Sequence, residues 1–145
     1  TCLNFLEDIT KEKGGIPFPN KVSFISQNWK KYPALIQDST LVTKIIDIEK
    51  TINGRAYYYI PKEKVLPFAG QIKTGDIILI TTKKKGLDTA HVGIAIENEG
   101  QIYLLHASVS DKKVSITTET LPDYLQRITS HSGIMIGRLI NFKSN

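Results

Sequence analysis

Cysteine and long apolar runs are what this sequence most clearly lacks. Cys2 is the only cysteine among 145 residues, so no disulfide can form within the chain and a disulfide-stapled scaffold is excluded. No apolar run approaches the roughly 20 residues that a membrane-spanning helix needs, so we expect no membrane span. The sequence begins with Thr1 and lacks both an initiator Met and a basic, then apolar leader. We therefore expect a processed or truncated product, from which an export signal has been removed.

Arginine is also scarce, although the chain is basic. Nineteen Lys and Arg residues against fourteen Asp and Glu give a net charge of +5, but arginine is represented only by Arg55, Arg127 and Arg138. Nucleic-acid-binding proteins favour the bidentate guanidinium of Arg for bases and phosphates, so this composition argues against a nucleic-acid partner. A lysine-rich surface is compatible with an anionic polymer such as a cell wall, or with ordinary solvated loops.

The order of apolar patterns indicates helices first and strands afterwards. Leu41, Ile45, Ile48 and Ile52 recur at three- and four-residue spacing and predict a helical stripe. After residue 54, stretches rich in Ile, Val, Thr and Tyr predict a mostly antiparallel meander, with a short helix before its last strand. This order favours an α+β fold in a single domain over residues 1–145. The predicted strands span 57–60, 76–82, 91–96, 102–107, 113–117 and 133–139, and the helix spans 121–128.

Two histidines stand on what the pattern predicts to be neighbouring strands. The stretches that contain His91 and His106 flank the turn-like tetrapeptide Glu97-Asn98-Glu99-Gly100. A two-residue loop at residues 98–99 would place His91 directly opposite His106, with Cβ atoms roughly 5 Å apart. A three-residue loop ending at residue 100 would turn the two rings to opposite faces of the sheet.

Three interpretations of the histidine pair stay open from the residues alone. A metal site would need a third ligand, for which Asp76 and Asp88 are candidates. A purely structural pair would need no further partner. A cysteine hydrolase would use one imidazole to activate a thiol and the second to orient the first. Cys2 is the only thiol, and the apolar residues after it predict a short helix whose N-terminal amides and dipole would lower the pKa of that thiol.

Several motifs extend over most of the chain. The longest are Thr74-Gly75-Asp76-Ile77-Ile78, the stretch from Gly86 to Ala95, and Leu104-Leu105-His106-Ala107-Ser108; shorter ones are Phe24-Ile25-Ser26, Tyr32-Pro33-Ala34-Leu35, Tyr59-Ile60-Pro61 and the stretch from Gly133 to Arg138. Together they resemble the NlpC-type papain-like cell-wall hydrolases. Within these they resemble a bacterial subfamily of N-acetylmuramoyl-L-alanine amidases, from about Asp8 to Arg138.

This resemblance implies a papain-like fold in which a helix carrying a cysteine nucleophile packs on an antiparallel sheet. His91 would be the base and His106 the residue that orients it, while Tyr59 and Asp88 would be pocket residues. The stretch Cys2-Leu3-Asn4-Phe5-Leu6-Glu7 is similar to the family's nucleophile segment, although Thr1 stands where Asp is usual. In a second alignment, residues 4–15 resemble a segment downstream of the nucleophile. The reactive cysteine would then lie on a preceding segment.

The resemblance implies a cysteine amidase that hydrolyses the N-acetylmuramoyl-L-alanine bond of peptidoglycan fragments, with no metal or other cofactor. A closely related activity cuts between D-glutamate and the diamino acid of the stem peptide. If the nucleophile is missing, the implied function is a non-catalytic module that binds cell-wall peptides. The expected partners are muropeptides, and the expected location is the periplasm or the outside of the cell.

Overall fold

The chain folds as an antiparallel sheet with helices packed against it. The computed structural model describes residues 5–19 and 21–140. Helices and antiparallel strands in this arrangement agree with the expected α+β class. The strands are β1 (Leu6–Asp8), β2 (Ile16–Pro17), β3 (Tyr58–Pro61), β4 (Ile77–Thr82), β5 (Thr89–Asn98), β6 (Gln101–Ser108), β7 (Lys113–Ile116) and β8 (His131–Leu139). The helices are α1 (Phe24–Gln27), α2 (Pro33–Gln37), α3 (Thr40–Asn53), α4 (Lys62–Phe68) and α5 (Leu121–Arg127), with 3-10 turns at Trp29–Lys31 and Ala69–Gln71.

The strand order is β2-β3-β8-β4-β5-β6-β7, and β1 pairs with the end of β8. Strands β4 to β7 form a meander, because each of them pairs antiparallel with the next along the chain. The final strand β8 inserts between β3 and β4. The predicted meander and the predicted helix before the last strand are both confirmed, with boundaries that differ by one or two residues.

The expected short helix near the start of the chain is wrong. Residues 6–8 form β1, in which Leu6 pairs with Leu139 and Asp8 with Gly137 of β8. Ile9, which follows directly, is buried in the core. The edge of β8 offers backbone partners to this segment, and those pairs satisfy its amide and carbonyl groups. Cys2, which was expected to open the helix, lies outside the described residues.

Helix α3 is present as predicted, but its apolar stripe is not a core face. Ile48 is 53% exposed, whereas its neighbour Glu49 is buried. The Glu49 carboxylate accepts hydrogen bonds from the backbone N–H groups of Ile25 and Ser26, at 3.1 and 3.2 Å. The buried side of α3 therefore supports α1 through a carboxylate.

The two faces of the central strands differ in their surroundings. The core face packs under α4 and α5, and its buried side chains Ile78, Ile80, Leu104 and Ile134 share one core with Leu121 of α5. Gly93 belongs to this face, where an added Cβ would lie 2.5 Å from Leu104 Cδ1. The outer face is lined by Val92, Ile94 and Val114, whose exposed fractions are 53%, 39% and 70%. No helix in the described part of the chain is long and apolar enough to cross a membrane.

Candidate active site

The β5–β6 hairpin carries His91 and His106, and its register differs from the predicted one. Asn98 pairs with Gln101, so the loop is Glu99-Gly100 rather than the predicted residues 98–99. Both loop residues have positive φ, 52° and 78°. This is the geometry of a type I′ turn, which favours Gly at its second position. From Ile94 to Asn98, the partner of each β5 residue therefore moves by two positions. The prediction that the two histidines lie directly opposite each other depended on the other register and is wrong.

A shift of two residues still leaves both rings on one face, because side chains along a strand alternate with a period of two. His91 and His106 are therefore diagonal neighbours. Nε2 of His91 lies 2.7 Å from Nδ1 of His106, a hydrogen-bond distance. The rings are nearly perpendicular, with centroids 4.9 Å apart. The arrangement with rings on opposite faces is excluded.

Two further rings continue from this pair. Tyr124 of α5 lies edge-on to His106, with ring centroids 5.6 Å apart. His131, the first residue of β8, has its ring centroid 5.6 Å from that of Tyr124. These four side chains (His91, His106, Tyr124 and His131) are termed the ring row. It joins β5, β6, α5 and β8 in one cluster.

Burial favours the neutral form of two histidines in the ring row. It is the main reason that the pKa of His91 is lower than the ordinary 6.5, and the charge of His106 adds to the effect. Burial also lowers the pKa of His131 to about 4, with smaller contributions from the charges of His91, Lys62 and Arg127. At neutral pH, His91 is thus an unprotonated imidazole that can accept a proton.

The ring row lines a cavity of about 660 Å³, termed the histidine cavity. This volume lies within the range of small-molecule sites. The remaining wall is rich in short polar side chains, such as Ser108, Ser115 and Thr117. Arg127 also lines the cavity, and its guanidinium contacts the Glu119 carboxylate at 2.6 and 2.8 Å. The site therefore combines a histidine base with room for a polar ligand.

A family model identifies the relatives of this chain. The model described as AmiA-like, N-acetylmuramoyl-L-alanine amidase-like, matches residues 1–134. The chain belongs to this family. A comparison with curated proteins gives no match.

Solved structures related to this AmiA-like protein share its fold. An N-acetylmuramoyl-L-alanine amidase from Bacteroides uniformis ATCC 8492 is 35% identical, with a TM-score of 0.86 over 94% of this chain and 59% of its own. A Bacteroides fragilis protein provisionally described as a xylanase is 36% identical, with a TM-score of 0.83 over 92% of this chain and 59% of its own. A Legionella pneumophila protein at 20% identity and a TM-score of 0.64 shows the fold alone, over 94% of this chain and 57% of its own. The chain thus spans about three-fifths of the length of these structures.

The two residues expected to line the pocket of the AmiA-like protein lie elsewhere. Tyr59 lines a second cavity of about 370 Å³, beside Phe18, whose ring centroid is 5.3 Å away. Asp88 lines a small cavity of about 70 Å³, and its carboxylate accepts a hydrogen bond from the N–H of Thr89. Neither residue lines the histidine cavity. Their role as pocket residues therefore stays a prediction.

The structure also places the two aspartates that the metal hypothesis needed. Asp76 is held by Arg138, two of whose nitrogens lie 2.7 Å from its carboxylate oxygens. Its carboxylate also accepts the N–H of Lys73. Asp88 is engaged with Thr89, as above. Within residues 5–19 and 21–140, no group of three or more His, Cys, Asp or Glu side chains could hold a metal ion.

His131 is the site residue that the sequence motifs missed. It lies in no recognisable motif, and its position depends on β8 returning to the middle of the sheet. The available signal was the small number of histidines: the chain has three, and all of them line the same cavity. Cys2 lies outside the described residues, so its role as the nucleophile stays a prediction.

Proposed function

We propose that this AmiA-like protein is a cysteine hydrolase that cleaves the amide bond between N-acetylmuramic acid and L-alanine in peptidoglycan fragments. The proposal includes the papain-like, NlpC-type use of a thiol and two histidines. Its main support is the 2.7 Å hydrogen bond between His91 and His106 at the wall of a cavity that can hold a ligand. Membership of the amidase-like family and 35% identity with a solved amidase add to that support.

The hydrogen bond gives the two nitrogens of His91 different tasks. Nε2 is engaged with Nδ1 of His106, so Nδ1 of His91 is the nitrogen left to meet a thiol. A proton on Nε2 of His91, donated to His106, fixes the tautomer that leaves Nδ1 free to accept. The same hydrogen bond stabilises the positive charge that develops when His91 takes up a second proton. His106 is thus proposed as a positioning residue.

Cys2 is the proposed nucleophile, because it is the only thiol of the chain. The thiol proton passes to Nδ1 of His91, and the sulfur attacks the carbonyl carbon of the lactyl amide. His91 returns the proton to the nitrogen of the departing L-alanine as the C–N bond breaks. A water molecule, deprotonated by His91, then cleaves the thioester and restores the thiol. The lowered pKa of His91 keeps it available as a base at neutral pH.

Two proposed contacts lie beyond the histidine cavity. Tyr59 and Asp88 would touch more distant parts of a muropeptide, since each lines a separate cavity. Such a substrate implies a protein that works outside the cytoplasm, and we propose a periplasmic or secreted location. The net charge of +5 suits an anionic cell-wall polymer.

A non-catalytic module is the second candidate, because a cavity of about 660 Å³ lined by short polar side chains can hold a polar ligand without any covalent step. In this case the histidine cavity would bind a cell-wall peptide without cleaving it.

The related endopeptidase, which cuts between D-glutamate and the diamino acid, would use the same residues and differ in the masses of its products.

Alkylation of the single thiol tests the proposal. The chain is incubated with a defined muropeptide before and after treatment with iodoacetamide, and the products are identified by mass spectrometry. We expect the untreated chain to release a stem peptide with a free L-alanine amine, and the alkylated chain to release none. A Cys2→Ala variant, with and without iodoacetamide, is the matched control and should be inactive in both samples.

Each outcome separates the candidates. Cleavage at an unchanged rate after alkylation contradicts the cysteine mechanism. A product cut after D-glutamate identifies the endopeptidase. Calorimetric binding of the muropeptide without turnover supports the non-catalytic module, and the absence of binding removes all three.

A further inference from the structure

His131 has a polar atom that no described residue satisfies. The residue is only 5% exposed and lines the histidine cavity. Its Nδ1 is buried and has no hydrogen-bond partner in the part of the chain that the structure describes. Buried polar side-chain atoms without a partner are rare in native proteins and call for a specific explanation. The proposed reaction gives His131 no task, because His91 and His106 engage each other.

The surroundings decide which nitrogen of His131 carries the proton of the neutral ring. A buried N–H without an acceptor loses its hydrogen bond to water, and orphaned N–H groups are rarer in proteins than under-satisfied acceptors. Nδ1 is therefore the bare nitrogen, and Nε2 carries the proton. Because Nδ1 is the nitrogen shut off from solvent, Nε2 is the one that can meet a ligand in the cavity.

Burial and the surrounding charges keep His131 neutral, so it offers a ligand an N–H donor that carries no charge. Burial and the charges of His91, Lys62 and Arg127 all oppose a second proton on the ring and lower its pKa. The charge of Arg127 is itself matched by Glu119, at 2.6 Å. A carboxylate would therefore meet a neutral imidazole beside an arginine that is already paired. An amide carbonyl oxygen carries no net charge and matches a neutral N–H donor.

We propose that the Nε2–H group of His131 donates a hydrogen bond to an amide carbonyl oxygen of the bound substrate, which makes His131 a substrate-binding residue. The identity of the substrate as a muropeptide rests on the proposed function. The donor atom and its preference for an uncharged amide rest on the burial, charges and missing partner described above.

Binding of N-acetylmuramoyl-L-alanine amide, an uncharged probe, tests this inference. Calorimetry is performed in a Cys2→Ala background, so that the probe is not consumed. Three substitutions separate the two ring nitrogens: His131→Gln places an amide group near the position of Nε2, His131→Asn places it near Nδ1, and His131→Phe removes both. We expect the Gln variant to bind nearly as tightly as the parent, and the Asn and Phe variants about five- to tenfold more weakly, as for one lost neutral hydrogen bond. Circular dichroism confirms that each variant is folded.

Long-range ¹H–¹⁵N spectra of the histidine rings supply a readout that needs no substitution at His131. We expect His131 to carry its proton on Nε2 before the probe is added, and its Nε2 resonance to move in a saturable way as the probe binds. A proton on Nδ1 overturns the inference. It is also overturned if the probe perturbs only His91 and His106 while all three variants bind equally, a result that leaves the proposed function standing.

Two further comparisons keep the inference separate from the proposed function. A preference of more than about tenfold for the free acid, N-acetylmuramoyl-L-alanine, shows carboxylate recognition and overturns the inference. Binding of the amide probe through His131 supports the inference even if the cysteine-containing chain shows no turnover, which counts against the amidase mechanism alone. Failure of the parent to bind either compound removes both.

Discussion

Acid should destabilise this protein through His131 in particular. The imidazole is buried, and its pKa in the folded chain is about 4, against an ordinary value of 6.5. Between these two pH values the unfolded chain binds a proton that the folded chain does not, so a falling pH favours unfolding. The contribution of His131 to stability is therefore complete above pH 6.5 and is lost as the pH falls toward 4.

The magnitude follows from the two pKa values. They differ by about 2.5, and one pKa unit corresponds to about 1.4 kcal/mol, so the limiting loss is about 3 kcal/mol. At pH 5, where few carboxylates are protonated, proton linkage gives a loss of about 2 kcal/mol relative to pH 7. A His131→Gln variant keeps a polar side chain of similar reach but has no group that titrates in this range. Its stability should not show this loss.

Urea unfolding at pH 7 and pH 5 measures the difference. Between the two pH values, the unmodified chain should lose about 2 kcal/mol more unfolding free energy than His131→Gln. Comparing the losses within each protein cancels the cost of the substitution itself and the titration of the carboxylates that both proteins share. Equal losses, within about 0.5 kcal/mol, would refute a buried neutral imidazole at residue 131.

Three further predictions follow from the site and its supports. His91→Ala should lower kcat/KM for muropeptide cleavage roughly 10²- to 10⁴-fold, and the acidic limb of the pH profile should lie below pH 6.5, as chromatography of the products would show. Asp76→Asn should lower the unfolding free energy by about 3 kcal/mol in urea, because it leaves a guanidinium without its buried partner. Asp47→Asn, at an exposed ion pair, is the matched control and should cost less than about 1 kcal/mol. Gly133→Ala should lower the Tm, since its Cβ would collide with a carbonyl oxygen of β3.

Much of the sheet could be predicted because short sequence patterns within each strand indicate its position. Apolar and β-branched residues alternate between turn residues, and that pattern depends little on the rest of the fold. The hairpin register was harder, because residues 98–99 and 99–100 both make short polar loops. The observed loop places Gly100 where a positive φ is required. A register shift of two positions keeps each side chain on the same face of the sheet. Both histidines therefore still lie on one face, although the predicted register was wrong.

The errors fall where distant parts of the chain decide the local structure. The residues around Leu6 have apolar spacing that suits a helix or a strand, and the edge of β8 selects the strand. Tyr59 and Asp88 matched motifs, and their role as pocket residues stays a prediction, because motifs do not say which cavity a side chain lines. His131 joins the site only because β8 begins beside α5, a long-range placement with no sequence signature.

The opposite surroundings of the two faces of the central strands have a practical consequence. His91 and His106 line the histidine cavity from the core face of β5 and β6, whereas Val92 and Ile94 belong to the outer face. Coupling the protein to a solid support through the outer face, for example at the 70%-exposed Val114, would leave the cavity mouth turned toward the solution. An immobilised preparation of this kind would keep the cavity accessible to the proposed muropeptide substrates.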